Sequence, residues 1–138
     1  MKRAIITFQT LCVCLLANGL NPQMSQYIAE LKKEAQSLDK SFIGFDANRG
    51  EKIFTSKHIG KKGVEISCVS CHGLNLKENG KNISTNKPIE PLSPQANPKR
   101  LTDVKDVQKW LRRNFQDVYV REGSAQEKGD VLYYIMSK

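Results

Sequence analysis

Apolar positions fall into helical spacing at several places along the chain. Met24, Tyr27, Ile28, Leu31, Ala35 and Leu38 recur every three or four residues, one stripe of an amphipathic helix over about 23–38. Ser41 to Phe45 is a short apolar linker containing Gly44. Asp46 has the side chain of a helix cap and predicts a helix over about 47–56, with Gly50 and Phe54 one turn apart. Thr102-Asp103 opens another helix, on which Val104, Val107, Leu111 and Asn114 share a face. Ser124 and Glu127 have capping-box spacing before a last helix, about 125–136. The intervals read as loops. Residues 57–67 are basic and contain glycine, and 73–86 are polar and rich in Asn. Pro88, Pro91, Pro94 and Pro98 make 88–99 a stiff, extended loop, because proline blocks helix and lacks a donor. No internal repeat is visible. The pattern is all-α with long loops.

Composition narrows the class. With 138 residues the chain holds one domain. Apolar residues at 39% and charged residues at 26% supply a core and exclude a disordered chain. No apolar run reaches the roughly 20 residues of a bilayer span, so this is not a multi-span membrane protein. The chain is also too short to carry separate cofactor and substrate domains.

The first residues change the count of chemistry-bearing groups. Met1-Lys2-Arg3 is basic, Ala4 to Ala17 is mostly apolar, and Ala17-Asn18-Gly19 spaces small residues as a signal peptidase accepts them. Residues 1–19 read as a secretory leader; a retained N-terminal anchor is the alternative. Cys12 and Cys14 are poor lipoprotein candidates, since they lie inside the apolar run beside bulky Val13. The expected organisation is a leader over 1–19, an N-terminal helix and linker over 20–45, and one helical domain over 46–138. Without the leader two of the four cysteines remain, Cys68 and Cys71. Losing Lys2 and Arg3 and no acid takes the formal charge from +8 to +6. The destination is an oxidising compartment, most simply the bacterial periplasm. Export, and the lack of an aromatic–basic stacking platform, argue against nucleic acid as a partner.

Cys68-Val69-Ser70-Cys71-His72 is the attachment signature of covalent c-type haem. Two thiols three residues apart reach the two vinyl groups of one porphyrin edge and become thioethers. The next residue then presents its imidazole to the iron as the proximal ligand. Three other uses of a C-x-x-C pair fit less well. A thioredoxin-like redox pair needs a βαβ context that the pattern lacks. A zinc site needs four ligands, and the chain after the leader has only two Cys, Cys68 and Cys71, and two His, His58 and His72. A disulfide across two residues is strained.

The sixth iron ligand is open at this point. Small electron carriers commonly supply a Met before the last helix, but no Met and no second His lies between His72 and Ser124. Met24 and Met136 read as core and tail residues. His58, fourteen residues before His72, is a candidate, against the plainer reading of a solvated loop histidine. Asn114 is the other. It lies on the inward stripe with Val107 and Leu111, where an amide without a partner costs free energy. The plainer reading of Asn114 is a helix-ending residue that bonds backbone carbonyls.

From Arg49 onward the chain resembles the small class I-like cytochromes of the sphaeroides haem protein type. The resemblance is carried by Arg49-Gly50, Phe54, Ser67-Cys68, Cys71-His72-Gly73, Lys87, Ile89 and Pro91-Leu92. It continues through Pro94, Pro98, Arg100, Thr102-Asp103, Val107, Lys109-Trp110-Leu111 and Arg113-Asn114, and closes with Glu127-Lys128, Asp130 and Leu132. It implies a class I cytochrome c-like helical fold wrapping one covalent haem c, with 23–38 as an extra N-terminal helix. It also implies that Asn114 is the distal ligand of a high-spin iron and leaves on reduction, opening a site for O2 or NO. A neutral amide oxygen is a hard, weak ligand, tolerable for ferric and poor for ferrous iron. The resemblance further implies a larger redox partner, a multihaem cytochrome c or a membrane cytochrome b. The chain departs from the family in one respect. A disulfide bridges the loop after this Asn in the family archetype, and the matching positions here are Phe115 and Gly123. The bridge is absent, and a looser loop around Asn114 is the expectation.

Several supporting residues have expected roles. Gly50 and Phe54 are expected to meet the last helix near Tyr133 and Tyr134, a glycine allowing the close crossing. Trp110 reads as haem-wall packing rather than an electron relay. Lys57, Lys61, Lys62, Lys77, Lys81, Lys87, Arg112 and Arg113 are either general surface or a positive rim that steers an acidic redox partner. The expected function is electron transfer with a distal site that opens on reduction to a diatomic. The alternatives are a closed six-coordinate shuttle using His58 or a Lys, and a small haem enzyme such as a peroxidase or an O2 or NO reductase. A dedicated enzyme is the less favoured of these, since its only spare proton donor of the right kind is His58.

Overall fold

The computed structural model describes residues 19–138. The expected leader falls, except for Gly19, outside the described residues. Five helices and two short antiparallel ribbons succeed one another in the order α1 (Pro22–Leu38), α2 (Ala47–Thr55), β1 (His58–Ile59), β2 (Glu65–Ile66), α3 (Val69–His72), β3 (Gly80–Lys81), β4 (Pro88–Ile89), α4 (Val104–Tyr119) and α5 (Ala125–Met136).

Each long helix starts where its capping residue puts it. The Asn21 side chain accepts the Met24 N–H at 2.8 Å with Pro22 in the first turn, and its amide also donates to the Thr102 carbonyl, tying α1 to the approach of α4. Asp46 accepts the Arg49 N–H and starts α2, and Asp103 accepts the Asp106 N–H and starts α4. Ser124 and Glu127 complete a reciprocal capping box at the start of α5, and Arg121 grips both Glu127 oxygens. Arg121 holds the Glu127 carboxyl below its ordinary range. Ser124→Ala is expected to cost about 1 kcal/mol in urea unfolding without moving other elements.

The core sits where α2 crosses α5. Gly50 lies directly on the Asp130 carbonyl and the Tyr134 Cβ, so α2 has no room for a side chain there. Phe54, one turn on, stacks on Tyr134 with centroids 5.4 Å apart. Of the two tyrosines expected at this crossing only Tyr134 is there. Residues 130 and 134 share a face of α5, and Tyr133, turned about 100° away, packs against Phe45 instead. Asp130 is buried and fully used: it accepts the Asp46 N–H at 2.7 Å and Arg49 Nε and Nη2 at 2.8 and 2.9 Å. Met24, Tyr27, Leu31 and Ala35 of α1 are buried in the same core, with α1 lying along α5.

The two ribbons were not visible in the sequence pattern. β1 pairs with β2 around a turn containing Gly60 and Gly63, and Gly60 rests on the Asp117 carbonyl and Ile66. Lys61 N–H donates to that same carbonyl at 2.9 Å, so this ribbon lies against the last turns of α4. β3 pairs with β4 around Asn82, whose side chain accepts the Ser84 and Thr85 N–H groups. Strands of two residues have no alternation to read.

Candidate haem site

The Cys68–His72 segment is a single helical turn. The Cys71 and His72 N–H groups both donate to the Cys68 carbonyl, and Gly73, at φ +72°, ends the turn. Ser70 Oγ accepts the Ser67 N–H at 3.0 Å and fixes the entry. Three residues of helix put both thiols on one side. Behind the turn runs β3: a side chain on Gly80 would strike the Cys71 carbonyl and the His72 Cα, so Gly80 is what lets the ribbon back the motif. Nothing in the sequence singled out Gly80 for this role, because close approach is a tertiary property.

Cys68, Cys71 and His72 open into a cavity of about 1090 Å³, just above the usual size of ligand pockets, about 300–1,000 Å³. Its walls include Phe54 from α2, Leu132 and Ile135 from α5, Leu92 from the proline-rich loop, and Val107, Leu111, Asn114 and Val118 from α4. Val107, Leu111 and Asn114 belong to the stripe read from the sequence, and Val118 continues it by one more turn.

His72 is prepared as a ligand rather than as an acid or base. Burial, and then the charge of Arg100, bring its pKa down to about 4, so the ring is neutral at physiological pH. Its Nδ1 is buried without a hydrogen-bond partner, and Phe54 packs on the ring at 5.8 Å. Burial pushes the Cys68 thiol up to about 12, the opposite of the lowered value of a redox-active thiolate. Paired thiols on one turn, an adjacent neutral imidazole and a large, mainly apolar cavity match the attachment and enclosure of a covalent haem.

Asn114 also lines this cavity. It is not at a helix end, because α4 continues to Tyr119. The side-chain hydrogen bonds of α4 are the Asp103 cap, Lys109 to Asp106, and Tyr119 to the Ile53 carbonyl; none uses the Asn114 amide. The plainer reading, an Asn capping backbone carbonyls at the end of its helix, is therefore replaced. At the two positions where the family archetype has its disulfide, Phe115 is buried with its ring packed on Gly123.

His58 is elsewhere. It belongs to β1, not to a solvated loop, and its ring stacks on Tyr119 with centroids 4.1 Å apart. It does not line the cavity. Met24 is wholly buried in the α1 core, and Met136 ends α5. Of the basic residues singled out, Lys61, Lys62 and Arg113 border the cavity, joined by Lys99 and Arg100. Glu90, Asp103, Asp106 and Asp117 border it too, so the rim is mixed in sign. Arg100 was missed as an organiser: its Nε and Nη2 donate to the Pro91 and Glu90 carbonyls at 2.8 Å and hold the proline-rich loop in place. Trp110 is a wall residue as expected but is 47% exposed, with Arg113 and Lys109 over its ring.

Residues 40–135 match a family described as a domain of unknown function, DUF1924. The chain is 40% identical over 93 residues to cytochrome c-type protein SHP of Cereibacter sphaeroides, covering 67% of this chain and 71% of that protein. It is 35% identical over 104 residues to cytochrome c'' of Methylophilus methylotrophus, covering 75% and 72%. The fold matches the crystal structure of oxidised cytochrome c'' with a TM-score of 0.75 at 29% identity, over 83% of this chain and 94% of that one. It matches oxidised SHP, described as an oxygen-binding cytochrome c, with a TM-score of 0.73 at 35% identity, over 87% and 100%. The chain belongs to the DUF1924 family and is a monohaem cytochrome c of the SHP and cytochrome c'' group.

Proposed function

We propose that the chain is an exported electron carrier whose distal haem face opens on reduction to admit a diatomic such as O2 or NO. When bound, haem c would supply one-electron redox chemistry and an iron able to take a small ligand. Cys68 and Cys71 anchor it and His72 is the proximal ligand. Asn114 is the distal ligand of the oxidised form. The observation that carries the reading is Asn114 in the cavity wall, part-way along α4, with no hydrogen bond to its amide. An amide oxygen free of other partners can leave without breaking a protein hydrogen bond, and it binds ferrous iron poorly. The oxygen binding ascribed to SHP supports this reading, as does the haem-ligand detachment addressed for cytochrome c''.

The leader over 1–19 sends the domain over 46–138, with its N-terminal helix and linker over 20–45, to the periplasm. There a multihaem cytochrome c or a membrane cytochrome b is the redox partner. Lys61, Lys62 and Arg113 beside the cavity are suited to acidic groups on such a partner. An enzymatic role gains no support from His58, which packs behind the wall residue Tyr119 and does not itself line the cavity.

The test is the optical spectrum of the matured protein in ferric, reduced, and reduced plus carbon monoxide states. The expected result is a high-spin ferrous spectrum that shifts with carbon monoxide. Asn114→Ala is expected to change the ferric spectrum and leave the reduced one as it was. A low-spin ferrous spectrum indifferent to carbon monoxide would remove the Asn114 switch and favour a closed shuttle ligated by His58.

A further inference from the structure

We infer that the turn between α4 and α5 is a brace that sets the position of Asn114, with Phe115 and Gly123 as its positioning residues; this rests on Asn114 being the distal ligand. Phe115 follows Asn114 directly and is buried, and its ring occupies the space where a side chain of residue 123 would stand. A Cβ at Gly123 would stand 2.6 Å from Cδ2 and Cε2 of that ring and 2.8 Å from Cγ. The glycine is required by this close approach, since Gly123 is not among the residues with positive φ. Any side chain there must drive the ring away, and α4 rotates or shifts with it.

The rest of the turn is arranged to keep this contact. Val120 ends α4 in the left-handed region at φ +54°, a conformation that a β-branched residue adopts only when its surroundings impose it. Three residues later the chain is back over Phe115, and the Ser124–Glu127 capping box with Arg121 pins the far end of the turn. On its other side Phe115 stacks on Tyr119 at 5.3 Å, and Tyr119 is fixed by its hydrogen bond to the Ile53 carbonyl and by the His58 ring. His58, whose Nε2 is buried without a hydrogen-bond partner, packs on Tyr119 as part of the brace. Asn114 has no hydrogen bond of its own to hold it, so its direction follows from how the neighbouring residue is packed.

The probe is imidazole binding to the ferric protein, which must wait for Asn114 to leave the iron. In Gly123→Ala the ring is displaced, and imidazole should bind faster by about fivefold or more, toward the rate of Asn114→Ala. Phe115→Leu removes the flat ring without an overlap and should act in the same direction, which covers the case of Gly123→Ala failing to fold. Ala35→Gly in α1, outside the turn, is the control: it loosens a buried helix, lowering Tm while leaving the imidazole rate unchanged. Wild-type rates in Gly123→Ala and Phe115→Leu, with Asn114→Ala fast, would overturn the brace and keep Asn114 as ligand. An equal acceleration in Ala35→Gly would overturn it as well, reducing the effect to general loosening. A wild-type rate in Asn114→Ala itself would remove the ligand assignment and the brace with it.

Discussion

A chain carrying both Cys68→Ala and Cys71→Ala should leave the maturation machinery with no covalently bound haem. On a denaturing gel stained for haem peroxidase activity the band should vanish, while an immunoblot still detects the chain. The effect is all or none because each thioether needs its own sulfur and the C-x-x-C-H turn has no other thiol. Each single variant retains one sulfur and is expected to keep a weaker stained band. His72→Ala should differ in kind. Both thioethers can still form, but the iron loses the neutral imidazole that burial keeps available, so the visible spectrum changes while the link survives denaturation. A haem stain that persists in the double cysteine variant would refute the attachment assigned to this turn.

Gly50→Ala should destabilise the fold more than any other single methyl group added on α2. In an exposed helix interior this exchange stabilises by about 0.5–1 kcal/mol through backbone entropy. Here the added carbon meets the Asp130 carbonyl and the Tyr134 Cβ, which are a backbone group and the root of a side chain. Neither can swing away as a flexible side-chain tip would, so the two helices must separate. Overpacking of this kind costs about 1–3 kcal/mol when side chains can give, and more when they cannot. The overlap decides the sign, and a fall in Tm of about 10 °C or more is expected. The damage should reach the site. Separating α2 from α5 disturbs the Asp130 bonds to Asp46 and Arg49 and withdraws Phe54 from His72. A Tm at or above wild type would show that the crossing relaxes without cost.

The helices were legible because their signals are local. A capping side chain bonds an N–H three residues away, and an apolar stripe repeats within two turns, so Asp46, Asp103 and Ser124 mark starts that the structure keeps. The proline-rich loop was legible for the same reason. The ribbons were not: β1 to β4 are two residues each, too short for alternation, and their pairing depends on Gly60 and Gly80 approaching other backbones. Ser93 is another silent case. It is fully buried and donates to the Lys138 carbonyl, 45 residues away, which no local pattern encodes.

The candidate site divides along the same line. Cys68, Cys71 and His72 are specified by the sequence alone, since a C-x-x-C-H turn needs only one helical turn to set its geometry. Asn114 was marked by its place on an apolar stripe, and the sequence could not separate a helix-ending amide from one facing a cavity. The tertiary structure made that choice by continuing α4 to Tyr119 and leaving the amide unbonded. It also took His58 out of the cavity and set it on Tyr119, and it laid Phe115 on Gly123 where the sequence suggested a loose segment. These outcomes depend on which surfaces meet across tens of residues, and burial and close approach are settled only once the whole chain has packed.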